Sequence, residues 1–250
     1  MIAALIRANL LELLRSRVYL AALGLLVILA LMAAMLDQLA TGEEGRAVVD
    51  VGLWVGSLSI DALALVLGLS SAAGLSSVEV MLLLTRPVSR EQVLFGRFAA
   101  ISVVVVAAAL ACGVVLGGLG LWVGSDAIGR LPVAIVLVAA EGVIVAALAF
   151  AVGVGMSRAA ASVAAVTLLV VGRLGDILIE LADAGKFGAM GGAVNVVARV
   201  LPQLWRFDPG PWITQSTQSA TIGMNLLYAG FIVAGILGVA IVAYRRRQLG

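Results

Sequence analysis

The sequence predicts an all-α polytopic membrane protein with six transmembrane helices, an N-terminal interfacial helix and short re-entrant outer helices between spans five and six. Two compositional observations favour this fold class. Of the 250 residues, 63% are hydrophobic and only 12% are charged, and the mean hydropathy is +1.18. Soluble domains contain about 25% charged residues, so this chain has too little charge for a water-soluble surface. The third observation is that the apolar residues form long runs.

Six apolar runs have about the 20 residues that a bilayer-spanning helix needs. They predict spans at about 18–36, 51–75, 98–123, 131–156, 159–182 and 223–244. Only Ser157 and Arg158 separate the fourth run from the fifth, which predicts a tight helical hairpin. The first run is too long for a signal peptide and is interpreted as a retained anchor. No polar stretch could hold a soluble domain, so residues 1–250 are predicted to form a single transmembrane domain.

Two amphipathic segments flank these spans. Residues 1–17 follow a helical period with interspersed arginines, which predicts a helix in the inner interface or, alternatively, a simple anchor for the first span. Residues 183–222 contain a second helical period followed by aromatic residues and prolines. This segment predicts one or two short helices at the outer leaflet rather than an exposed loop. Its periodic apolar residues are Val194, Val197, Leu201 and Leu204.

The basic residues predict the orientation. With the N-terminus inside, ten arginines flank the spans on the inner side, against five Arg and Lys residues on the outer side. Because positive charge is retained in the cytoplasm, we expect both termini to be cytoplasmic, in a bacterial inner membrane. Residues 37–50 then form an outer loop.

The residue inventory excludes most catalytic chemistry. The chain has no histidine, and its single cysteine, Cys112, lies in an apolar run. The usual general base, zinc sites and Ser–His or Cys–His pairs are therefore excluded. There is no P-loop motif, and the net charge of +2 gives no reason to expect a nucleic-acid partner. We expect a non-catalytic chain that binds no cofactor or metal itself.

Ionisable residues at membrane depth are costly and are candidates for function. Asp61 lies in the second predicted span and Glu141 in the fourth. Arg173, Asp176 and Glu180 share one face of the fifth span by their spacing. Arg173 is expected to face the bundle interior, near Asp176, Asp61 or Glu141. These charges form a structural or cavity-lining network, or alternatively carry a coupling ion.

Several glycines recur at four-residue spacing, a pattern that lets helices approach closely in lipid. We expect most of them to serve packing within the chain, and a subunit interface is the alternative. The positions are Gly52 and Gly56, Gly113 and Gly117, Gly120 and Gly124, and Gly230 with Ala234 and Gly238.

The inner loop 76–97 has the most specific sequence. Arg86-Pro87 predicts a helix break, since the residue before proline disfavours the α region. Ser89 is placed to cap a new helix that begins Arg90-Glu91. This segment, LLLTRPVSREQVLFGRF, resembles a motif of the type-2 membrane permeases of ATP-binding-cassette (ABC) transporters. The resemblance is closest to the single-domain bacterial permeases of the NosY copper-enzyme maturation and gliding-motility groups.

That resemblance implies a permease subunit that pairs with a second permease, identical or paralogous, and with a cytoplasmic ATPase dimer. ATP and Mg²⁺ would bind in the ATPase partner. We expect the elbow of residues 76–97 to couple the two proteins, through Glu79, Arg86, Pro87, Arg90 and Glu91. Two alternatives are open: an ion-coupled secondary transporter that uses Asp61, Glu141 and Glu180, and a non-transporting membrane scaffold.

Overall fold

A computed structural model of the protein describes residues 44–73, 90–210 and 219–247, together with Gly24. These residues form helices, and short turns join those between residues 90 and 210. The helices are α1 (Glu44–Ala73), α2 (Arg90–Val123), α3 (Leu131–Gly155), α4 (Arg158–Asp183), α5 (Gly191–Val200) and α6 (Ser219–Arg247). Short 3₁₀ turns lie at Asp126–Arg130, Gly188–Met190 and Leu204–Phe207.

Within this described part, five helices are long and apolar enough to cross a membrane. They span Val49–Ala73, Glu91–Trp122, Asp126–Gly155, Arg158–Asp183 and Thr221–Arg245. These helices match the second to sixth predicted spans, so the all-α class is confirmed and the chain is indicated to be a multi-pass membrane protein. The first predicted span, 18–36, and the predicted interfacial helix, 1–17, lie outside the described residues.

The helices extend beyond the apolar runs that predicted them. Residues 44–50, predicted as part of an outer loop, belong to α1, and that part of the prediction is wrong. The helix α2 begins at Arg90, as the capping pattern predicts, eight residues before the apolar run at 98–123, and it has Glu91 in its first turn. Acidic side chains are favourable at a helix N-terminus. The length of an apolar run is set by the thickness of the hydrocarbon layer. The helix itself can continue past that layer, because its backbone hydrogen bonds do not require apolar side chains.

Close contacts at glycines fix the directions of the helices. A Cβ added to Gly52 would meet Leu116, and one added to Gly56 would lie 2.7 Å from the Cys112 Sγ. The contact on α2 moves back from residue 116 to residue 112 as the position on α1 moves forward from residue 52 to residue 56, so these two helices are antiparallel. Gly113 contacts Ile135, and Gly117 faces the preceding turn of α3, so α2 and α3 are antiparallel too.

The centre of the bundle is the packing of α1 against α3, which run parallel. A Cβ on Gly68 would lie 2.7 Å from the Cβ of Ala149 and 2.8 Å from the Ala146 carbonyl oxygen. One turn further, a Cβ on Gly153 would lie 2.6 Å from the Cβ of Ala72. Two-thirds of the central residues of α1 and α3 are buried (67% each), against 17% in α4 and in α6. The core therefore lies between α1, α2 and α3.

The glycine pattern divides between two environments. Gly52, Gly56, Gly113, Gly117 and Gly120 face side chains of other elements in the chain, as intramolecular packing requires. Gly124 instead has a φ of 74° and makes the turn after α2. The third set behaves differently: Cβ atoms on Gly230 and Gly238 would meet no described atom within 4 Å. The described residues therefore show no packing partner for these two glycines, and the expectation for α6 stays a prediction because the first predicted span, 18–36, is not among them.

The predicted hairpin is present, because α3 ends at Gly155 and α4 begins at Arg158. The segment after α4, predicted to lie at the outer leaflet, forms α5 and then the 3₁₀ turn Leu204–Phe207. The helical period predicted through Leu201 and Leu204 is wrong beyond Val200. Leu201 is extended, with φ −69° and ψ 153°, because it precedes Pro202. Leu204 is nevertheless buried, since the 3₁₀ turn packs onto α4.

One end of the bundle, which we call the basic end, gathers the end of α1, the start of α2, the α3–α4 hairpin and the end of α6. There the Arg97 Nη1 donates to the Ser71 carbonyl oxygen at 3.1 Å. Arg245, near the end of α6, pairs with Glu91 in the first turn of α2. The opposite end carries the turn Asp126–Arg130, α5 and the 3₁₀ turn before α6.

Candidate functional site: a buried ion-pair cluster

The first wall of the site is α1, which contributes Ser57 and Asp61. These residues are four apart and therefore lie on one face of the helix. The Ser57 Oγ donates to the Trp54 carbonyl oxygen at 2.9 Å, which fixes its rotamer. Both side chains are buried, and Asp61 is only 1% exposed.

The second wall is α3, which contributes Glu141, also 1% exposed. The next residue, Gly142, explains how a carboxylate comes to be enclosed here. A Cβ at Gly142 would lie 2.8 Å from Ile60 on α1 and 2.8 Å from Val105 on α2. The absence of a side chain lets three helices meet beside Glu141, and their apolar side chains surround the carboxylate.

The third wall is α4, which contributes Arg173. Two glycines beside it accept the 3₁₀ turn that follows α5. A Cβ on Gly172 would lie 2.9 Å from Leu204, and one on Gly175 would collide with the ring of Trp205. The segment between α5 and α6 thus covers α4 next to Arg173. Its position is held further by Tyr228 on α6, whose hydroxyl accepts a hydrogen bond from the Gln203 N–H at 2.9 Å.

The guanidinium of Arg173 joins these walls. Its Nε donates to the Asp61 Oδ2 at 2.9 Å, and its Nη2 lies 2.9 Å from the same oxygen. The same Nε lies 3.1 Å from the Glu141 Oε1. The Nη2 also donates to the Ser57 Oγ at 3.0 Å. One cation on α4 therefore serves two carboxylates and one hydroxyl, which come from α1 and α3.

The charges of this cluster do not balance. Asp61 and Glu141 carry two carboxylates against one guanidinium. Within the described part of the chain, the Asp61 Oδ1 and the Glu141 Oε2 are buried and have no hydrogen-bond partner. A third carboxylate, on Asp208 after the 3₁₀ turn, is close enough to Glu141 for a Coulombic interaction. Buried charge is expensive unless it is paired, so the uncompensated negative charge is the chemical feature of this site.

The sequence-predicted charges separate into two groups. Arg173 contacts Asp61 and Glu141, two of its three expected partners. Asp176 and Glu180 are exposed on α4, and in the described structure neither forms an ion pair. The expectation that Arg173, Asp176 and Glu180 act as one face is therefore not met. Helical spacing predicts a shared face but does not say which partner helix that face meets.

The predicted coupling residues are only partly described. Glu79, Arg86 and Pro87 lie outside the described residues. Arg90 is the first residue of α2, as the capping pattern predicts. Glu91 pairs with Arg245, a contact between segments that are 154 residues apart in the chain.

Two members of the cluster were missed by sequence reasoning. Ser57 carries a signal that was available, because it lies one turn before Asp61 on the same face. Asp208 has no such signal, since its approach to Glu141 depends on how the outer segment folds back over α4. Residue type and spacing predict that a charge is buried, but they do not predict which side chains from other elements pack beside it.

In comparisons with known proteins, no family model and no curated protein matches this chain. Nor do the described residues contain a group of three or more His, Cys, Asp or Glu side chains placed to hold a metal ion. The functional argument therefore rests on the geometry of the chain itself.

Proposed function

We propose that the chain is the membrane-spanning permease subunit of an ATP-driven ABC transporter of the type-2, exporter-like family. The observation that carries this proposal is the start of α2. From Arg90 of the TRPVSREQVLFGR sequence onward, one uninterrupted helix, α2, includes the third predicted span. A cytoplasmic elbow that is continuous with a membrane helix can pass motion directly into the bilayer.

The contacts at the basic end extend this path beyond α2. The Glu91–Arg245 ion pair connects the first turn of α2 to α6. One helical turn and a half further on, Arg97 connects α2 to the end of α1 through the Ser71 carbonyl. A displacement of the elbow would therefore reach three membrane helices. Helix-in-groove docking is a recurrent way to form such a joint with a partner.

In this proposal, two permease subunits form the substrate path, and the cytoplasmic ATPase dimer binds ATP and Mg²⁺. This chain performs no covalent chemistry. In this proposal the basic end faces the cytoplasm of a bacterium with the protein in its inner membrane, so the end of α6 lies on the cytoplasmic side, and a first span at 18–36 would bring the N-terminus to the same side. The positive-inside rule supports this orientation, because Arg90, Arg97, Arg158 and Arg245 all lie at the basic end.

The buried cluster favours a second candidate, an ion-coupled secondary transporter that uses Asp61 and Glu141. Glu180, the third carboxylate expected for that mechanism, is exposed and apart from the cluster. Arg173 also neutralises one of the two carboxylates, as a structural ion pair would. These two features favour the permease. A membrane scaffold without transport is the remaining alternative, and it would function without an ATPase.

The test is whether a P-loop ATPase is encoded beside this chain and co-purifies with it, together with a measurement of transport-coupled ATP hydrolysis. Replacing Arg86→Glu and Arg90→Glu places negative charge where an acidic docking groove is expected. The double variant should insert normally but bind the ATPase more weakly, and the loss should be larger at low salt than at high salt. Arg199→Glu is the matched control, because Arg199 is an exposed arginine at the opposite end of the bundle.

Two results would contradict the permease proposal. The first is wild-type binding and hydrolysis by the double variant. The second is an equal loss in the Arg199→Glu control, which would show a general effect of charge rather than a docking site. Transport that continues without any ATPase and follows an ion gradient would favour the secondary transporter instead.

A further inference from the structure

The Arg173 cluster has an oxygen arrangement that a structural ion pair does not require. Each carboxylate uses one oxygen on the guanidinium, Asp61 through Oδ2 and Glu141 through Oε1. The other oxygen of each, Asp61 Oδ1 and Glu141 Oε2, is buried without a hydrogen-bond donor among the described residues. A buried acceptor without a donor is rare in native proteins. Two of them on neighbouring carboxylates point to a bound species that supplies a positive charge or a hydrogen.

The charged and titratable side chains around the cluster limit which species could bind there. Ser57 from α1 accepts a hydrogen bond from Arg173 of α4, and the exposed carboxylate of Asp208, after the 3₁₀ turn, is near enough to Glu141 for a Coulombic interaction. From α2 the nearest titratable group is the Cys112 thiol, which lies against Gly56, one residue before Ser57. None of these adds a second cation. The described cluster also lacks the three-ligand set that a metal ion would take.

We propose that Asp61 and Glu141 form a binding site for one exchangeable proton, carried on a carboxyl oxygen that Arg173 does not contact. One proton converts one carboxylate to a carboxyl group, so that the remaining carboxylate and the guanidinium balance. Protonation also turns one of the two donor-less acceptor oxygens into a hydroxyl. The proton comes from water and returns to it. Arg173, whose side chain is 19% exposed against 1–2% for the carboxylates, marks the open side of the site.

This proposal goes beyond the permease function and does not depend on it. A proton bound between α1 and α3 neutralises one of the two carboxylates that Arg173 of α4 contacts. Because Arg173 is the only charged residue that connects α4 to α1 and α3 in the described structure, release of the proton would change how α4 is held. The inference therefore concerns the chain alone and is testable without the ATPase.

The experiment is infrared difference spectroscopy on the purified full chain in lipid nanodiscs, titrated from mildly acidic to mildly alkaline buffer. A protonated carboxyl group has a C=O stretching band that shifts in deuterated water and that carboxylates and amides lack. The wild type should show one such buried carboxyl band, which disappears as the pH rises. Each single variant, Asp61→Asn and Glu141→Gln, should lose it, because the one remaining carboxylate is then matched by Arg173.

Matched controls are Asp176→Asn and Glu180→Gln, which remove exposed carboxylates from α4 and should leave the band unchanged. The wild-type titration decides whether a protonated carboxyl exists even if one variant fails to fold. Absence of the band in the wild type overturns the proposal, and so does its survival in either single cluster variant. A band that responds to replacing choline by Na⁺ at constant pH would assign the site to a metal cation and would also overturn it.

Discussion

At the scale of single residues, Arg173 determines the electrostatics of the bundle. It is one cation among three helices, and it contacts two carboxylates that are both almost fully buried. Insertion of an arginine at the centre of a membrane helix costs about 2.5–3.5 kcal/mol on the translocon scale. That cost predicted from sequence that Arg173 would face inward. That Arg173 pairs with Asp61 and Glu141 rather than with Asp176 follows from the packing of α4 against α1 and α3, which the sequence did not predict.

The first residue-scale prediction is that Arg173→Gln destabilises the protein. Removing one partner from a buried ion pair costs about 3–5 kcal/mol, because Asp61 and Glu141 would remain buried without a cation. Denaturant unfolding in detergent micelles measures the change. Arg158→Gln, at the exposed start of the same helix, is the control and should change the free energy of unfolding by less than about 0.5 kcal/mol. Equal stability of the two variants would show that Arg173 is not a structural cation.

At the scale of elements, α1 and α3 run parallel and approach each other more closely than larger side chains at the contact would permit. It depends on Gly68 and Ala72 facing Ala149 and Gly153. Both pairs have the four-residue spacing of small residues typical of close helix contacts in lipid. The signal was therefore present in the sequence, but it was not among the glycine sets selected there. The spacing alone also does not say that these two helices, which are not consecutive, are neighbours.

A matched pair of glycines tests this contact. Gly68→Ala would bring a methyl group within 2.8 Å of the Ala146 carbonyl oxygen, and backbone cannot move aside as a flexible side chain can. Overpacking of this kind costs about 1–3 kcal/mol. Gly118→Ala places the same methyl group in open space on α2 and should be neutral or slightly stabilising. Thermal unfolding of both variants measures the difference, and a neutral Gly68→Ala would contradict the close approach of α1 and α3.

At the scale of the whole molecule, the basic end and the opposite end differ in charge and in construction. The apolar runs predicted five of the described helices to within several residues, because hydrocarbon thickness sets their minimum length. The positions where the helices end could not be predicted in the same way. Residues 44–50 are helical although they precede the apolar run, and Leu201 leaves the helix because of Pro202. The start of α2 at Arg90 was predicted, but from its capping pattern rather than from apolar length.

The proposed orientation makes a prediction about labelling. In a background with Cys112 replaced by alanine, single cysteines at Ser157→Cys and Gly192→Cys occupy exposed positions at the two ends. A membrane-impermeant maleimide applied to intact spheroplasts should label position 192 and should label position 157 only after lysis. The opposite pattern would place the basic end outside and would remove the expected access of the elbow to a cytoplasmic ATPase.

The cluster also sets the order in which the chain can be completed during synthesis. Asp61 is made 112 residues before Arg173, an interval of roughly 6–20 s at about 5–20 residues per second. During that time α1, α2 and α3 are translated. Asp61 and Glu141 are then present in the nascent chain, but Arg173, the cation that pairs with them, has not yet been synthesised. A nascent chain of this length must keep Asp61 and Glu141 protonated or in contact with water. Release of α1 from the insertion machinery is thus tied to the translation of a helix that lies three spans later.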